Sequence, residues 1–445
     1  MPDSIIVNVD ISGLTISAQQ KGDFPYKRKI VVDHLGVILR SDPVGYNVKS
    51  PLTGANYYII PVFKGGAGVS VVLMGYKVQF HIPACTVGNN VLNQNLVLTG
   101  CKFAVLLLKH FLQGNGCPAA LLDLITLDLV TIDEVTLTFL YGCGTHAAAL
   151  NLNDQLYLHA DAVLNAHPAV GKQPVFRVGN GKDSTTYCKH KDFELIGYVK
   201  SGKTQKAFCN LKGQSAADMY AAGQACVRFE TKFKAGYLKK HGLEKPLAWK
   251  ITQDCNPHRV GVELARQHLR LDENLRTVRP KPAYIAKLSP NDQVILTSHL
   301  GGNNVLHHSL VGKNQHQFGM YRARILTATR VDINIPWNIQ CKQISTMLAD
   351  TLVVGKQFQV PLHLKMHSFC AKTAKALLNK LHRLVLGVSA AAPVQSASAW
   401  PNHQPPKLPT SAASTVVARV RGITPLSPTS TAKLGKMNLK KRIKW

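Results

Sequence analysis

The chain has 445 residues, 45% of them hydrophobic, which is enough apolar material for at least one large core and excludes a disordered chain or a small disulfide-stapled scaffold. Lys and Arg number 53 against 24 Asp and Glu, a formal net charge of +29, and such self-repulsion is relieved by a polyanionic partner. Nucleic acid is therefore the expected partner, and a membrane is not, because no segment reads as a span or as a basic amphipathic anchor.

In chain order, Met1-Pro2-Asp3-Ser4 opens directly into an alternating strand, with no basic stretch and apolar signal core, so a cytoplasmic protein is expected. Ile5–Val9, Lys29–Val32, Tyr57–Ile60 and Val71–Phe80 are β-branched or aromatic runs broken by Gly and Pro, the pattern of a strand meander. The long apolar run Leu96–Leu112 carries Lys102, Lys109 and His110 and reads as a buried amphipathic helix. Leu127–Phe139 alternates like a strand, and Ala147–Ala166 reads as a second helix. A Gly- and Lys-rich hairpin follows at 179–183, then a helix at Ala216–Ala225 and a strand at Cys226–Lys234. Strands and helices interleave without a Gly-x-Gly-x-x-Gly turn, so the expected class is α+β, an antiparallel sheet with packed helices. Residues 255–386 are richer in helix-compatible segments, and 387–445 turn to Ala, Ser, Pro and Thr with a basic end, a composition expected to be disordered. No Asp or Glu follows Asp350, so this last part is either a phosphate-tracking arm or a solubilising tail. The expected organisation is thus 1–250, 255–386 and 387–445. Ten cysteines at irregular spacing, with no Cys-x-x-Cys pair, read as reduced core thiols.

Tyr187 and Lys189 stand two apart in alternating sequence, which puts both side chains on one strand face. A phenol is a weak nucleophile near neutral pH; an adjacent ammonium lowers its pKa and neutralises charge developing on an attacked phosphate. Taken alone, the pair also describes an ordinary half-exposed strand tyrosine. A hard cation such as Mg2+ or Mn2+ is expected to assist, and it needs only one or two carboxylates. Asp133, Glu134 and Glu230 on predicted strands are the candidates, with His81 as a further ligand; the alternative for each acid is a pair with one of the many lysines. His307, His308 and His316, and His363 with His367, have zinc-like spacings, but no Glu lies between the last two as a metalloprotease pattern requires. Gly65-Gly66-Ala67-Gly68 lacks the Lys-Ser/Thr of a phosphate loop.

The stretch Gln173-Pro174-Val175-Phe176-Arg177-Val178-Gly179-Asn180-Gly181-Lys182-Asp183-Ser184-Thr185-Thr186-Tyr187-Cys188-Lys189-His190, followed by Phe193-Glu194-Leu195, resembles the nicking-tyrosine segment of filamentous-phage (inovirus) gene-two type rolling-circle replication initiators. Val227-Arg228-Phe229-Glu230, with Lys232, Lys234, Tyr237, Lys239, Lys240 and Leu243, is similar to a second block of that family. Phe318-Gly319-Met320-Tyr321-Arg322 is similar to a third. Val78–His81, Pro83-Ala84 and Gly88-Asn89-Asn90 match the family's N-terminal half in outline, without the histidine of its Gly-His-Asn turn. The resemblance implies an HUH-endonuclease-like fold in which residues 1–250 nick DNA and 255–386 bind DNA or serve as an accessory domain. It implies that Tyr187, assisted by Lys189, joins the 5′ phosphate of origin DNA and leaves a 3′ hydroxyl. It further implies that Arg177, Lys182, Arg228, Lys232, Lys234, Lys239 and Lys240 face the DNA. The expected substrate is double-stranded supercoiled and single-stranded origin DNA, in a bacterial host cytoplasm, with host helicase and polymerase as further partners. A non-enzymatic basic DNA-binding or packaging protein is the other reading of the same charge.

Overall fold

The computed structural model describes residues 2–386 except 36–37, 65–71, 93, 95, 167–174, 179–184, 201–212, 253–255, 257–258, 272–276, 313 and 342–357. The expected tail at 387–445, the hairpin tip at 179–183 and the Gly65–Gly68 segment lie outside the described residues.

Eleven strands occur among the described residues: β1 (Pro2–Asp10), β2 (Arg28–Val32), β3 (Ile38–Pro43), β4 (Tyr46–Lys49), β5 (Asn56–Lys64), β6 (Val72–Phe80), β7 (Val130–Gly142), β8 (Val175–Val178), β9 (Thr185–Lys189), β10 (Phe193–Val199) and β11 (Cys226–Lys234). Nine of them form one sheet in the order β4-β5-β6-β1-β7-β11-β10-β9-β8, with β2 and β3 as a separate hairpin. All its pairings are antiparallel. The expected α+β class with a large antiparallel sheet is what the chain adopts.

The meander holds only for β4, β5 and β6. The N-terminal strand instead sits in mid-sheet, hydrogen-bonded to β6 on one side and β7 on the other. Its alternation explains the placement: Ile5, Val7 and Val9 are fully buried on one side of the sheet, a position that an edge strand rarely offers. Gly75 makes the β1–β6 approach possible, because a Cβ there would lie 2.1 Å from the Val9 carbonyl oxygen.

Helices cover the apolar side. The helix Val97–Gly114 packs against β1, β6 and β7, His146–Ala166 against β10 and β11, and Arg259–Leu269 against β11. Val97–Gly114 is the amphipathic helix expected from Leu96–Leu112; Phe103, Leu107, Leu108 and Leu112 are buried, each contributing about 1.5–3 kcal/mol by leaving water. The strand expected from Leu127 begins only at Val130, after a 3-10 turn at Leu127–Leu129.

The large core continues through Trp249 and the helices Arg259–Leu269 and Ala371–Val385, on both sides of the boundary expected at 250–255. Residues Leu288 to Ile333 add a core cluster of their own, built around Ile295, Phe318, Tyr321 and Ile325. Among the described residues no helix is long and apolar enough to cross a membrane.

Candidate active site

Cross-strand partners point to the same side of a sheet, so the register of β7 to β11 determines which residues share the side opposite the helices Val97–Gly114, His146–Ala166 and Arg259–Leu269. Tyr187 on β9 is opposite Ile196 on β10, which is opposite Glu230 on β11, which is opposite Thr138 on β7. One step along, Lys189 aligns with Glu194, Lys232 and Thr136; on the other flank Tyr198 aligns with Arg228 and Leu140. The apolar alternates Phe193, Leu195, Val227 and Phe229 face the core. Period-two alternation therefore collects the polar residues of four strands on one surface.

Tyr187 and Lys189 share a face as expected, with the ammonium 5.9 Å from the ring centroid. The expected lowering of the phenol's pKa does not follow. Burial raises it, and the nearby charges of Glu230 and then Glu194 raise it further. At 5.9 Å from the ring centre, Lys189 does not overcome the two carboxylates on the neighbouring strands.

Beyond Ile196 lies a compact polar cluster. Glu230 (8% exposed) accepts hydrogen bonds on Oε1 from the Tyr198 hydroxyl at 2.7 Å and from Arg228 Nε at 2.7 Å. Arg228 (1% exposed) also donates from Nη1 to the Asn90 carbonyl at 2.8 Å. That carbonyl accepts a second bond from buried Lys200 at 3.1 Å, and the Lys200 ammonium also meets Asn90 Oδ1. Asn90 ends the turn that follows the helix Ile82–Val87, whose last residue hands over to Gly88 in the left-handed conformation (φ 80°). The Gly88–Asn90 turn is thus tied to the cluster by backbone and amide groups. Next to it, Val91, Leu92, Met219 and Leu364 form a small apolar cap with Leu140, Phe358 and Val360 packed against it.

The four candidate metal ligands do not converge. Asp133, the extra residue where the β1–β7 register shifts, pairs with Lys77 at 2.8 Å. Glu134 pairs with Lys232 at 2.9 Å, and Glu230 with Arg228. Glu230 and Glu134 are four β7 positions apart in register, about 13 Å at strand rise. His81 is at the boundary of β6 and the helix Ile82–Val87, where its carbonyl accepts from the Cys85 N–H at 3.0 Å. Among the described residues no three His, Cys, Asp or Glu side chains come together. The carboxylates as they stand fit ion pairs rather than Mg2+ or Mn2+. His363, in the 3-10 turn Leu362–His367, lies 3.4 Å from Asp218.

Of the residues expected to face DNA, Arg228 is buried and holds the cluster together. Lys232 and Lys234 are partly exposed and paired with Glu134 and Glu194, the latter at 3.0 Å. Such pairs contribute about 0–1 kcal/mol each and mainly fix geometry. Lys239 and Lys240 are exposed at the end of the helix Ala235–Lys240. Arg177 is on β8, and Lys182 lies outside the described residues. Tyr237 stacks on Phe233 and His241. Tyr321 is buried with the Arg324 guanidinium 4.8 Å from its ring centroid. Arg322 binds Asp332 with two contacts of 2.6 Å, and Asp332 also accepts from the Tyr157 hydroxyl at 2.6 Å.

Sequence reasoning missed Tyr198 as a partner of Glu230 and missed Lys200; it picked out Asn90 as part of the Gly88–Asn90 turn but not its contacts with Arg228 and Lys200. The Arg228-x-Glu230-x-Lys232-x-Lys234 alternation on an otherwise apolar strand was the available signal, since charge at every second position of a central strand requires partners on the adjoining ones. Comparison of the chain with protein-family models, with curated proteins and with solved structures found no match.

Proposed function

We propose that this chain is a replication initiator that nicks origin DNA through Tyr187 and starts rolling-circle replication of phage or plasmid DNA, on an HUH-endonuclease-like sheet. The observation that carries the reading is the placement of half-buried Tyr187 on the polar side of the sheet, with Lys189 beside its ring, Tyr198 on the next strand and the Glu230–Arg228 pair two strands away. The strong positive charge supports a polyanionic substrate.

In the proposed reaction, Tyr187 Oη attacks a phosphodiester phosphorus. The Oη–P bond forms as the P–O3′ bond breaks, leaving a 5′-phosphotyrosyl link and a 3′ oxygen that takes up a proton. The phenol's proton passes to solvent water during attack, and the departing 3′ oxygen takes one up from solvent, so the proton count balances. Lys189 stabilises the negative charge that builds on the phosphate. A host polymerase extends the 3′ hydroxyl while a host helicase separates the strands. Attack of a later 3′ hydroxyl on the phosphotyrosine rejoins DNA with one P–O bond exchanged for another, so no nucleotide energy is consumed.

The test is covalent capture. The protein is incubated with supercoiled and single-stranded circular DNA of the replicon that encodes it, with and without Mg2+ or Mn2+, and protein–DNA adducts are resolved under denaturing conditions. Wild type should give relaxed circles and an adduct; Tyr187→Phe should bind DNA equally and give neither. One observation favours the second reading, a non-enzymatic DNA-binding or packaging protein: the Tyr187 phenol is held above its ordinary pKa, the reverse of an activated nucleophile. DNA binding by wild type without adduct under every metal condition would establish that alternative.

A further inference from the structure

A cleft of about 380 Å³ opens between the segment Val278–Lys287 and the end of the helix Gln315–Thr329. Its walls carry four cations, Arg279, Lys281, Lys287 and Arg330, and no carboxylate. Four like charges around one concavity repel one another and raise the local concentration of anions. The partial charge of about −0.5 at the helix C-terminus offsets only a small part of this.

Two further features shape the cleft. Tyr284 forms a half-buried aromatic wall with Pro280, and the Lys287 ammonium stands 5.6 Å from the Tyr284 ring centroid. Arg330 occupies the helix-terminating position in the left-handed conformation (φ 61°, ψ 21°), its N–H bonded to the Leu326 carbonyl at 3.0 Å. Glycine or asparagine ordinarily takes that position. A long cation there is held at a local conformational cost while lining the cleft. The floor is rigid, because the helix buries Phe318, Tyr321 and Ile325 in the core cluster beneath.

We infer that this cleft is a nucleotide site, which takes the phosphate on Arg279, Lys281, Lys287 and Arg330 and places the base or sugar against Tyr284. The volume falls in the range of small-ligand sites and admits one nucleotide. The combination of a basic rim with an aromatic platform is that of single-strand binding grooves. The nucleotide is either a unit of a DNA strand or a free nucleotide. The inference stands on the chemistry of the cleft and does not require Tyr187 to be a nucleophile.

The full-length chain is titrated with a fluorescent oligothymidylate of about eight residues over a range of salt concentrations, and separately with thymidine monophosphate and ATP. The variants are Arg279→Gln combined with Arg330→Gly, which keeps the left-handed helix end, and Lys287→Gln. The double variant should lower oligonucleotide affinity roughly tenfold or more, as expected on losing hydrogen bonds to a charged group. It should reduce the slope of log affinity against log salt by about 1.4, two single-strand phosphate contacts. Arg330→Gly relieves the left-handed strain and Arg279→Gln removes a 3.4 Å contact from the guanidinium to the Leu300 carbonyl, so the two effects on stability oppose one another and a cooperative thermal transition within a few degrees of wild type shows that the variant is folded. Loss in the oligonucleotide arm assigns the site to a DNA strand. Loss confined to the free-nucleotide arm assigns it to a free nucleotide. Unchanged binding in both arms overturns the inference. The readout is equilibrium binding, so absence of a Tyr187 adduct would leave this result standing and be recognised separately.

Discussion

Arg228→Met removes the cation that holds Glu230 and the Gly88–Asn90 turn together while keeping side-chain volume close to that of arginine. In the wild type the pair is almost fully withdrawn from solvent, at 1% and 8% exposure, with a 2.7 Å contact. Removing one partner of a buried ion pair leaves a charge without its counterpart and costs about 3–5 kcal/mol. The compact unit containing it spans Met1–Pro393. At about 2.1 cal/mol/K per residue its unfolding entropy is roughly 0.8 kcal/mol/K, so the midpoint of thermal unfolding should fall by about 4–6 °C. Replacing both charges, Arg228→Met with Glu230→Leu, removes the stranded carboxylate and should recover most of the loss, because an apolar pair of similar volume is close to neutral. Differential scanning calorimetry of wild type, both single variants and the double variant closes the cycle. A single-variant shift under 1 °C, or a double variant no more stable than Arg228→Met, would refute the argument that this pair is a buried, coupled unit.

Three further outcomes follow from the geometry. Glu194→Gln removes one of the charges that raise the Tyr187 phenol, so its titration midpoint should move down; an ultraviolet phenolate titration, taken as a difference against Tyr187→Phe, reads it, and an unmoved midpoint refutes the assigned proximity. Burial alone would raise the Asp332 carboxyl, but the hydrogen bonds and charge of Arg322, with the Tyr157 hydroxyl and the Asn334 N–H, outweigh it and hold the group below its ordinary 3.8. A depressed folded pKa adds stability that is present above the unfolded value and lost as pH falls through the folded one. The destabilisation by Asp332→Asn should therefore be largest at neutral pH and shrink below about pH 3.8, as urea unfolding at stepped pH would show. Gly75→Ala sets a Cβ against the Val9 carbonyl and should cost about 1–3 kcal/mol or more, measured by the same unfolding curves; a shift under 0.5 kcal/mol would place the β1–β6 contact elsewhere.

Local periodicity carried much of the fold. Ile5–Val9, Tyr57–Ile60 and Cys226–Lys234 show the two-residue alternation of strands, and Leu96–Leu112 and Ala147–Ala166 read as helices; each appears within a few residues of its expected place. Strand order was not legible, because the pairing of β1 with both β6 and β7 depends on contacts more than 60 residues apart in the chain. The site divides in the same way. The shared face of Tyr187 and Lys189 is a two-residue property and was visible. The neutralisation of Lys232 by Glu134 and of Lys234 by Glu194, and the meeting of Arg228 and Lys200 at Asn90, are properties of register. The expectation that Lys232 and Lys234 face DNA was drawn from charge alone, and these cross-strand partners are not visible in the sequence.

The interior position of the Arg228–Glu230 pair also separates two responses to ionic strength. Mobile ions screen charges at the solvent boundary over about 8–10 Å and reach a buried pair only weakly. Under the proposed function, exposed cations such as Lys239, Lys240 and Arg279 would act as a tunable capture layer, whose hold on a polyanion weakens steadily with added salt. The Tyr198–Glu230–Arg228 arrangement beneath the sheet surface keeps its geometry over the same range. On that reading, salt should govern how long a strand stays on the protein while leaving unchanged the environment that meets it there.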